Sequence, residues 1–504
     1  MFVSHIPYLT LPFHWDEVGQ FVPAARDLYL SGKLVPASAT PNVHPPGLMA
    51  YLALVWKLTG FSIAATRVAM LLAASIALWL TFLLAIELCR EVPGAPAFTA
   101  AILLMVSPLF YTQAMMAQLD MPAMLFTVLA LLLFLQNRTR AAALATVALV
   151  LVKETGIVVP AVFAVWLLAE KRRREAVWFA LPFAALGAWL AVLYASTGHL
   201  FGNTAFTDYN LTFPLHPVRV GIALARRAFS LFIENFHFIG WIAVAVALSR
   251  TGVMFRKGDR PAVSISLRDT AATPPRGVGS RAWRIAATLG VVQALAVTVL
   301  GGATLERYLL PVLPLMYIAF AAAWSALRAP WTRVSQAALV AGFVACLVWN
   351  PPYPYPFENN LAMVDFVRLQ QRAAEYLENA FPSEAITTAW PLSIELRRPY
   401  LGYVTRKLST EEVPGYRPAD LRQLDPAKLQ VLVVFSREWE TAWDPRRTPL
   451  INPLMRRFYG YEPQMAPDDI EHKLGVRQIA HWTDRGQWVT VYAKGATPDP
   501  ARLP

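Results

Sequence analysis

Apolar residues gather along this chain into blocks of the length a bilayer demands, parted by short segments rich in Pro, Gly and Arg. A hydrocarbon core about 30 Å thick takes about 20 apolar residues per helix. On that measure spans are predicted near residues 68–88, 97–113, 122–136, 177–195, 229–248, 285–303, 308–327 and 334–349. Residues 141–169 form one further block with Lys153 and Glu154 at its centre. A single helix would strand both charges at mid-membrane, at about 2.5–3.5 kcal/mol each. Two short helices lift them to a surface, so a hairpin is predicted.

The pattern changes after Asn350. Pro351, Pro352, Pro354 and Pro356 make a stiff exit from the last span. Residues 361–381 then place Phe366, Leu369, Ala373, Leu377 and Ala380 at helical spacing. Residues 431–435 and 488–493 read as strands, the first fully apolar. Three regions result: an outer N-terminal segment and first loop over 1–67, a helical membrane domain over 68–349, and an α/β domain over 350–504.

Composition agrees with a membrane chain. Of 504 residues, 56% are hydrophobic and only 15% charged. Soluble domains carry roughly 25% charged residues, and disordered chains are richer still in charge, so both classes are excluded. Cys89 and Cys346 are the only cysteines, which excludes a disulfide scaffold.

The net charge of +12 needs a location before it has a meaning. Residues 350–504 hold 19 basic and 19 acidic side chains, which cancel. With the hairpin, one membrane face collects Arg90, Arg138, Arg140, residues 171–174, Arg328, Arg333 and the loop 250–284. That face has 17 Lys/Arg against six acids, Glu87, Glu91, Glu170, Glu175, Asp259 and Asp269. Such an excess marks the cytoplasmic side, and it is a topology signal rather than a nucleic-acid footprint. Ten passes follow, in a cell (inner) membrane, with 1–67 and 350–504 both extracytoplasmic. The two cysteines then lie near opposite surfaces and do not pair, since a disulfide needs Cα atoms within about 7 Å. Residues 1–13 lack the basic start and apolar core of a signal peptide. A first membrane helix is therefore expected upstream of this start.

On this topology Asp16, Glu17, His44, Arg67, Asp120, Lys153, Glu154, Glu306 and Arg307 all fall at the outer face. A lipid or solute transporter with an outer domain is the rival reading, but it would keep polar groups near the midplane. Asp16 and Glu17, following His14 and Trp15, suit either a helix cap or a general base with an orienting partner. His44, Pro45, Pro46 and Gly47 suit a helix start or a rigid corner presenting His44 to a ligand. Asp120 caps a helix on its plainest reading, and Lys153 with Glu154 makes a local ion pair. Glu306, Arg307 and Tyr308 open a span broken by Pro311 and Pro314. Arg307 there is either an interfacial anchor or a planar fork for phosphate. Asp16, Glu17, Asp120 and His44 are candidates for a divalent cation without the spacing of a metal site. Beyond that cation no cofactor is expected, and no Gly-rich nucleotide loop occurs.

In this order the motifs resemble those of the polyprenyl-phosphate-sugar-dependent glycosyltransferases. These are GT-C fold enzymes of glycosyltransferase family 39, which include protein O-mannosyltransferases and the aminoarabinose transferase of lipid A. The likeness runs over about residues 14–349: Asp-Glu, His-Pro-Pro-Gly, an outer Asp, Lys-Glu, and Arg-Tyr-x-x-Pro. It implies a GT-C all-α membrane domain of about ten helices bearing the outer α/β domain. It also implies Asp16 as catalytic base with Glu17 beside it, and Asp120 as a second acid. His44 matches the mannosyltransferase His-Pro-Pro motif, where aminoarabinose transferases have Lys. Arg307, with Arg67, Lys153 and Tyr308, would bind the donor's phosphate. The expected function is inverting transfer of a hexose or pentose from a polyprenyl phosphate to a hydroxyl of a protein, glycan or lipid. A β-trefoil-like insertion is lacking, so the acceptor class stays open. Trp390, Trp439, Trp443 and Trp482 are candidates for sugar stacking, with core packing the plainer role for most.

Overall fold

The computed structural model of the protein describes residues 1–90, 92, 94–251, 281–349, 358–437 and 445–495. The proline-rich exit 351–356, Trp439, Trp443, Glu91, Asp259, Asp269 and most of the basic loop 250–284 lie outside the described residues.

Among the described residues, five helices are long and apolar enough to cross a membrane: Ile63–Leu88, Arg173–Thr197, Arg281–Val299, Glu306–Ser325 and Ala329–Val348. Pro217–Phe232 and Glu234–Ser249, bent by 45° at their junction, make a sixth when joined. Gly47–Thr59, Pro96–Val106, Asp120–Leu135, Thr139–Val152 and Glu154–Ala169 are apolar but shorter. Hydropathy counted ten passes, and several of its blocks are divided. Block 97–113 breaks at Ser107, which is extended (φ −65°, ψ 133°) because Pro108 follows it. Block 229–248 straddles a kink where Asn235 adopts φ 54°. The N-terminal residues form only two short turns, Phe2–His5 and Ile6–Tyr8.

The charged block divides as its energetics require. Thr139–Val152 ends at an extended Lys153 (φ −146°, ψ 119°), and Glu154–Ala169 runs back. At the opposite end from Lys153, the Thr139 hydroxyl and Arg172 both donate to Glu175, Arg172 reaches Asn137, and Arg281 donates to Glu170 at 2.6 Å. The basic segments around residues 140 and 172 thus meet, as only a hairpin allows. Inside the bundle, Asp120–Leu135 is buried almost throughout between Ile63–Leu88 and Thr139–Val152. Phe134 stacks on Phe163 at 4.1 Å and 6°.

The C-terminal domain is a five-stranded mixed sheet of order β2-β1-β3-β5-β4. Its strands are β1 (Ile386–Ala389), β2 (Thr410–Val413), β3 (Val431–Phe435), β4 (Arg477–Asp484) and β5 (Gln487–Ala493). β1 is parallel to β2 and β3, whereas β5 is antiparallel to β3 and β4. All five residues of β3 are buried, as expected for a central strand covered on both faces. The amphipathic helix Ala362–Ala380 packs across β4 and β5. The domain is sewn to the N-terminal segment: Tyr403 donates to the Phe13 carbonyl at 2.9 Å, Arg398 to that of Ser38 at 2.7 Å, and Phe13 N–H to Leu401.

Gly47 shows why the His-Pro-Pro-Gly corner ends as it does. A Cβ there would stand 2.4 Å from the Leu151 carbonyl oxygen, so only glycine lets this helix start against the hairpin tip. Gly47→Ala should therefore destabilise the fold by about 1–3 kcal/mol, the usual cost of overpacking, read as a lowered Tm in detergent.

Candidate active site

The broken helix positions the central cation. Glu306–Val312 is a 3₁₀ turn containing Pro311, and it delivers Arg307 and Tyr308 to the end of the bundle where Lys153 lies. The Arg307 guanidinium is buried and shared by three carboxylates. One nitrogen donates to Asp16, Nε lies 3.2 Å from Asp120, and Nη1 donates to Glu358. Nη1 also donates to the Gln118 amide oxygen at 2.6 Å, and the Gln118 amide nitrogen donates to Glu358 at 2.7 Å. Lys153 donates to the other oxygen of Asp120, and its ammonium stands 4.2 Å from the Tyr308 ring centroid. Asp120 is the first residue of its helix, where a negative charge is favoured, but the N-cap is Leu119 and the Asp120 side chain makes no capping bond, because its oxygens face Lys153 and Arg307 instead.

These groups open into a cavity of about 1010 Å³ at the junction of bundle and C-terminal domain. Asp16, His44, Asp120, Lys153, Arg307 and Tyr308 all line it. His44 pairs with Glu154 at 2.9 Å, so the Glu154 partner from the chain is His44 rather than its neighbour Lys153. Exposure separates the carboxylates. Asp16 keeps 18% of its side-chain surface, whereas Asp120 keeps 4% and Glu358 2%. Of the three acids on Arg307, Asp16 is the most exposed.

Glu17 and Arg67 sit elsewhere. Both are fully buried and neither lines the cavity. Glu17 receives two bonds from Arg67 at 2.6 and 3.1 Å and the backbone N–H groups of His14 and Ala117. Arg67 spends its remaining donors on the carbonyls of Leu11, Pro12 and Met115. With every donor engaged inside the fold, Arg67 has no face to offer a phosphate. The pair instead holds the strand of chain that carries Asp16.

Two participants escaped the sequence reading. Glu358 has no local pattern around it; its place comes from the chain's re-entry toward the bundle after the last membrane helix, where its carbonyl also accepts from Gln113 at 2.9 Å. Arg226 donates to Glu306 at 2.7 Å at the cavity's edge. Burial pushes the Glu358 carboxyl up to about 7, against the opposing pull of Arg307. Burial, with Arg67 and Arg307 nearby, pushes the His14 imidazole down to about 3, so it packs as a neutral ring on Phe366. Among the described residues, no group of three or more His, Cys, Asp or Glu is placed to hold a metal ion.

Residues 43–201 match the family model of dolichyl-phosphate-mannose-protein mannosyltransferases. The whole chain is similar in structure to ArnT from Cupriavidus metallidurans bound to undecaprenyl phosphate, with a TM-score of 0.54 at 13% identity over 96% of this chain and 94% of that one. This is a GT-C fold. ArnT in the apo state gives a TM-score of 0.50 at 13% identity, over 97% of each chain. No curated protein matches the chain in sequence. The matched span of the GT-C chain includes His44, Arg67, Asp120 and Lys153, and stops short of Asp16 on one side and Arg307 on the other.

Two outcomes follow from burial. Arg67→Leu leaves Glu17 as an uncompensated buried charge and should cost about 3–5 kcal/mol, seen as a large fall in Tm. The raised Glu358 pKa means that the folded state holds this proton more tightly than the unfolded chain. Stability should therefore fall as pH rises from about 4.5 to about 7 and level off above. Glu358→Gln should lose that component of the Tm–pH curve.

Proposed function

We propose that the protein transfers a sugar from a polyprenyl phosphate to an acceptor hydroxyl at the non-cytoplasmic face of a membrane. The observation that carries this reading is the cavity uniting Asp16, Asp120, Lys153 and Arg307, a reachable carboxylate beside two cations. The match to mannosyltransferases and the likeness to ArnT bound to undecaprenyl phosphate support the same donor class.

The chemistry runs as follows. The donor's phosphate takes Lys153 and Arg307, with the Tyr308 ring 4.2 Å from the first and 5.8 Å from the second. In doing so it competes with Asp16 for Arg307. Released from that bond, the Asp16 carboxylate accepts the proton of the acceptor hydroxyl as the oxygen attacks the anomeric carbon. The bond to phosphate breaks on the opposite side, giving inversion. The cations neutralise charge as it develops on the leaving phosphate, where preorganised donors act most strongly. Asp120 keeps both cations aimed, since each of its oxygens holds one of them. His44, fixed by Glu154, borders the same space. The outer placement rests on the positive-inside argument together with the concentration of these groups at the end of the bundle away from residues 137–140 and 170–175.

The test is transfer by purified protein from labelled polyprenyl-phosphate sugars to a membrane extract. Asp16→Asn should abolish transfer while the protein still inserts and folds, and Arg307→Lys, which keeps a cation among the carboxylates but loses the planar fork, should lower the rate by about 10²–10³. Full turnover by Asp16→Asn removes Asp16 from the mechanism.

A further inference from the structure

Two tryptophans border Asp16 from different parts of the chain. Trp15 immediately precedes Asp16, and Trp390 immediately follows β1 of the C-terminal domain. Their rings meet edge to face, 4.7 Å apart at 74°, and both line the cavity. Both stay partly exposed, unlike Trp482, which is buried against Tyr376 in the domain core. Holding Trp15 there has a conformational cost, because its φ is +53°, a region that bulky side chains rarely occupy. Gly19 makes room on the other side: a Cβ there would stand 3.2 Å from the indole nitrogen of Trp390.

We propose that Trp15 and Trp390 form a saccharide platform, receiving the C–H face of the sugar carried by the donor. This rests on the function proposed above and names the part of the cavity that takes the ring. Indole faces carry no charge to attract a phosphate, and that role belongs to Arg307 and Lys153. An isoprenoid tail is better served by the apolar wall of Leu186, Leu190, Ile222, Val297 and Leu300. A sugar has both faces this corner requires, apolar C–H bonds for the indoles and hydroxyls for the ionised groups next to them. Because Trp390 belongs to the C-terminal domain, that domain would take part in choosing the sugar.

The test compares the affinity of the detergent-solubilised full chain for undecaprenyl phosphate with its affinity for undecaprenyl phosphate bearing glucose, mannose, galactose or aminoarabinose. Wild-type protein should bind at least one sugar-bearing lipid about tenfold more tightly than the bare lipid. Trp390→Ala and Trp15→Ala should erase that preference while leaving bare-lipid affinity unchanged, and Trp390→Phe should retain most of it. The platform is overturned by an undiminished preference in both alanine variants, or by a wild type that binds bare and sugar-bearing lipids alike. A wild type that binds neither lipid overturns the donor assignment itself.

Discussion

One guanidinium holds the cavity end of this molecule together. Arg307 pairs with carboxylates from the opening segment (Asp16), from the start of a core helix (Asp120) and from the entry to the C-terminal domain (Glu358). Buried carboxylates of this kind repel one another and resist ionisation, so they can share such a space only around a cation. Arg307 cannot leave its charge behind at any ordinary pH. The fold therefore closes on an ionic knot in which three remote parts of the chain have a common partner, and the geometry of Asp16 is tied to that of Arg307 and, through Asp120, of Lys153.

Around that knot the protein uses a second, entirely internal pair as a girder. Glu17 and Arg67 consume each other's hydrogen-bonding capacity along with backbone groups of residues 11, 12, 14, 115 and 117. Adjacent acids in the sequence thus do opposite work: Asp16 faces the cavity and Glu17 faces the core. The turn that separates them starts at Trp15, whose left-handed backbone aims the next two side chains in different directions.

The membrane domain was legible wherever the apolar period ran without interruption. The hairpin at Lys153 followed from the cost of two mid-membrane charges, and β3, β5 and the helix after the last membrane helix emerged from apolar pattern. Breaks that rest on one residue were not legible: Ser107 ahead of Pro108 and the left-handed Asn235 do not change a hydropathy average. Strands β1, β2 and β4 are short or carry exposed polar positions, and these escaped too. Short motifs brought forward Asp16, His44, Asp120, Lys153, Arg307 and Tyr308, which the fold gathers at one cavity. Motifs could not tell a cation that faces a cavity from one spent inside the core, as with Arg67, and could not find Glu358, whose position depends on tertiary return of the chain.

The two helices that meet at Lys153 have a mechanical consequence for their surroundings. Thr139–Val152 has 14 residues, which at about 1.5 Å each reach about 21 Å, against about 30 Å for hydrocarbon. A lipid sheet in register with the basic end of this hairpin must either thin locally or leave the Lys153 tip sunk beneath its surface. Such a dimple would draw headgroups inward on that flank, lowering the step between the bilayer surface and the cavity beside Lys153.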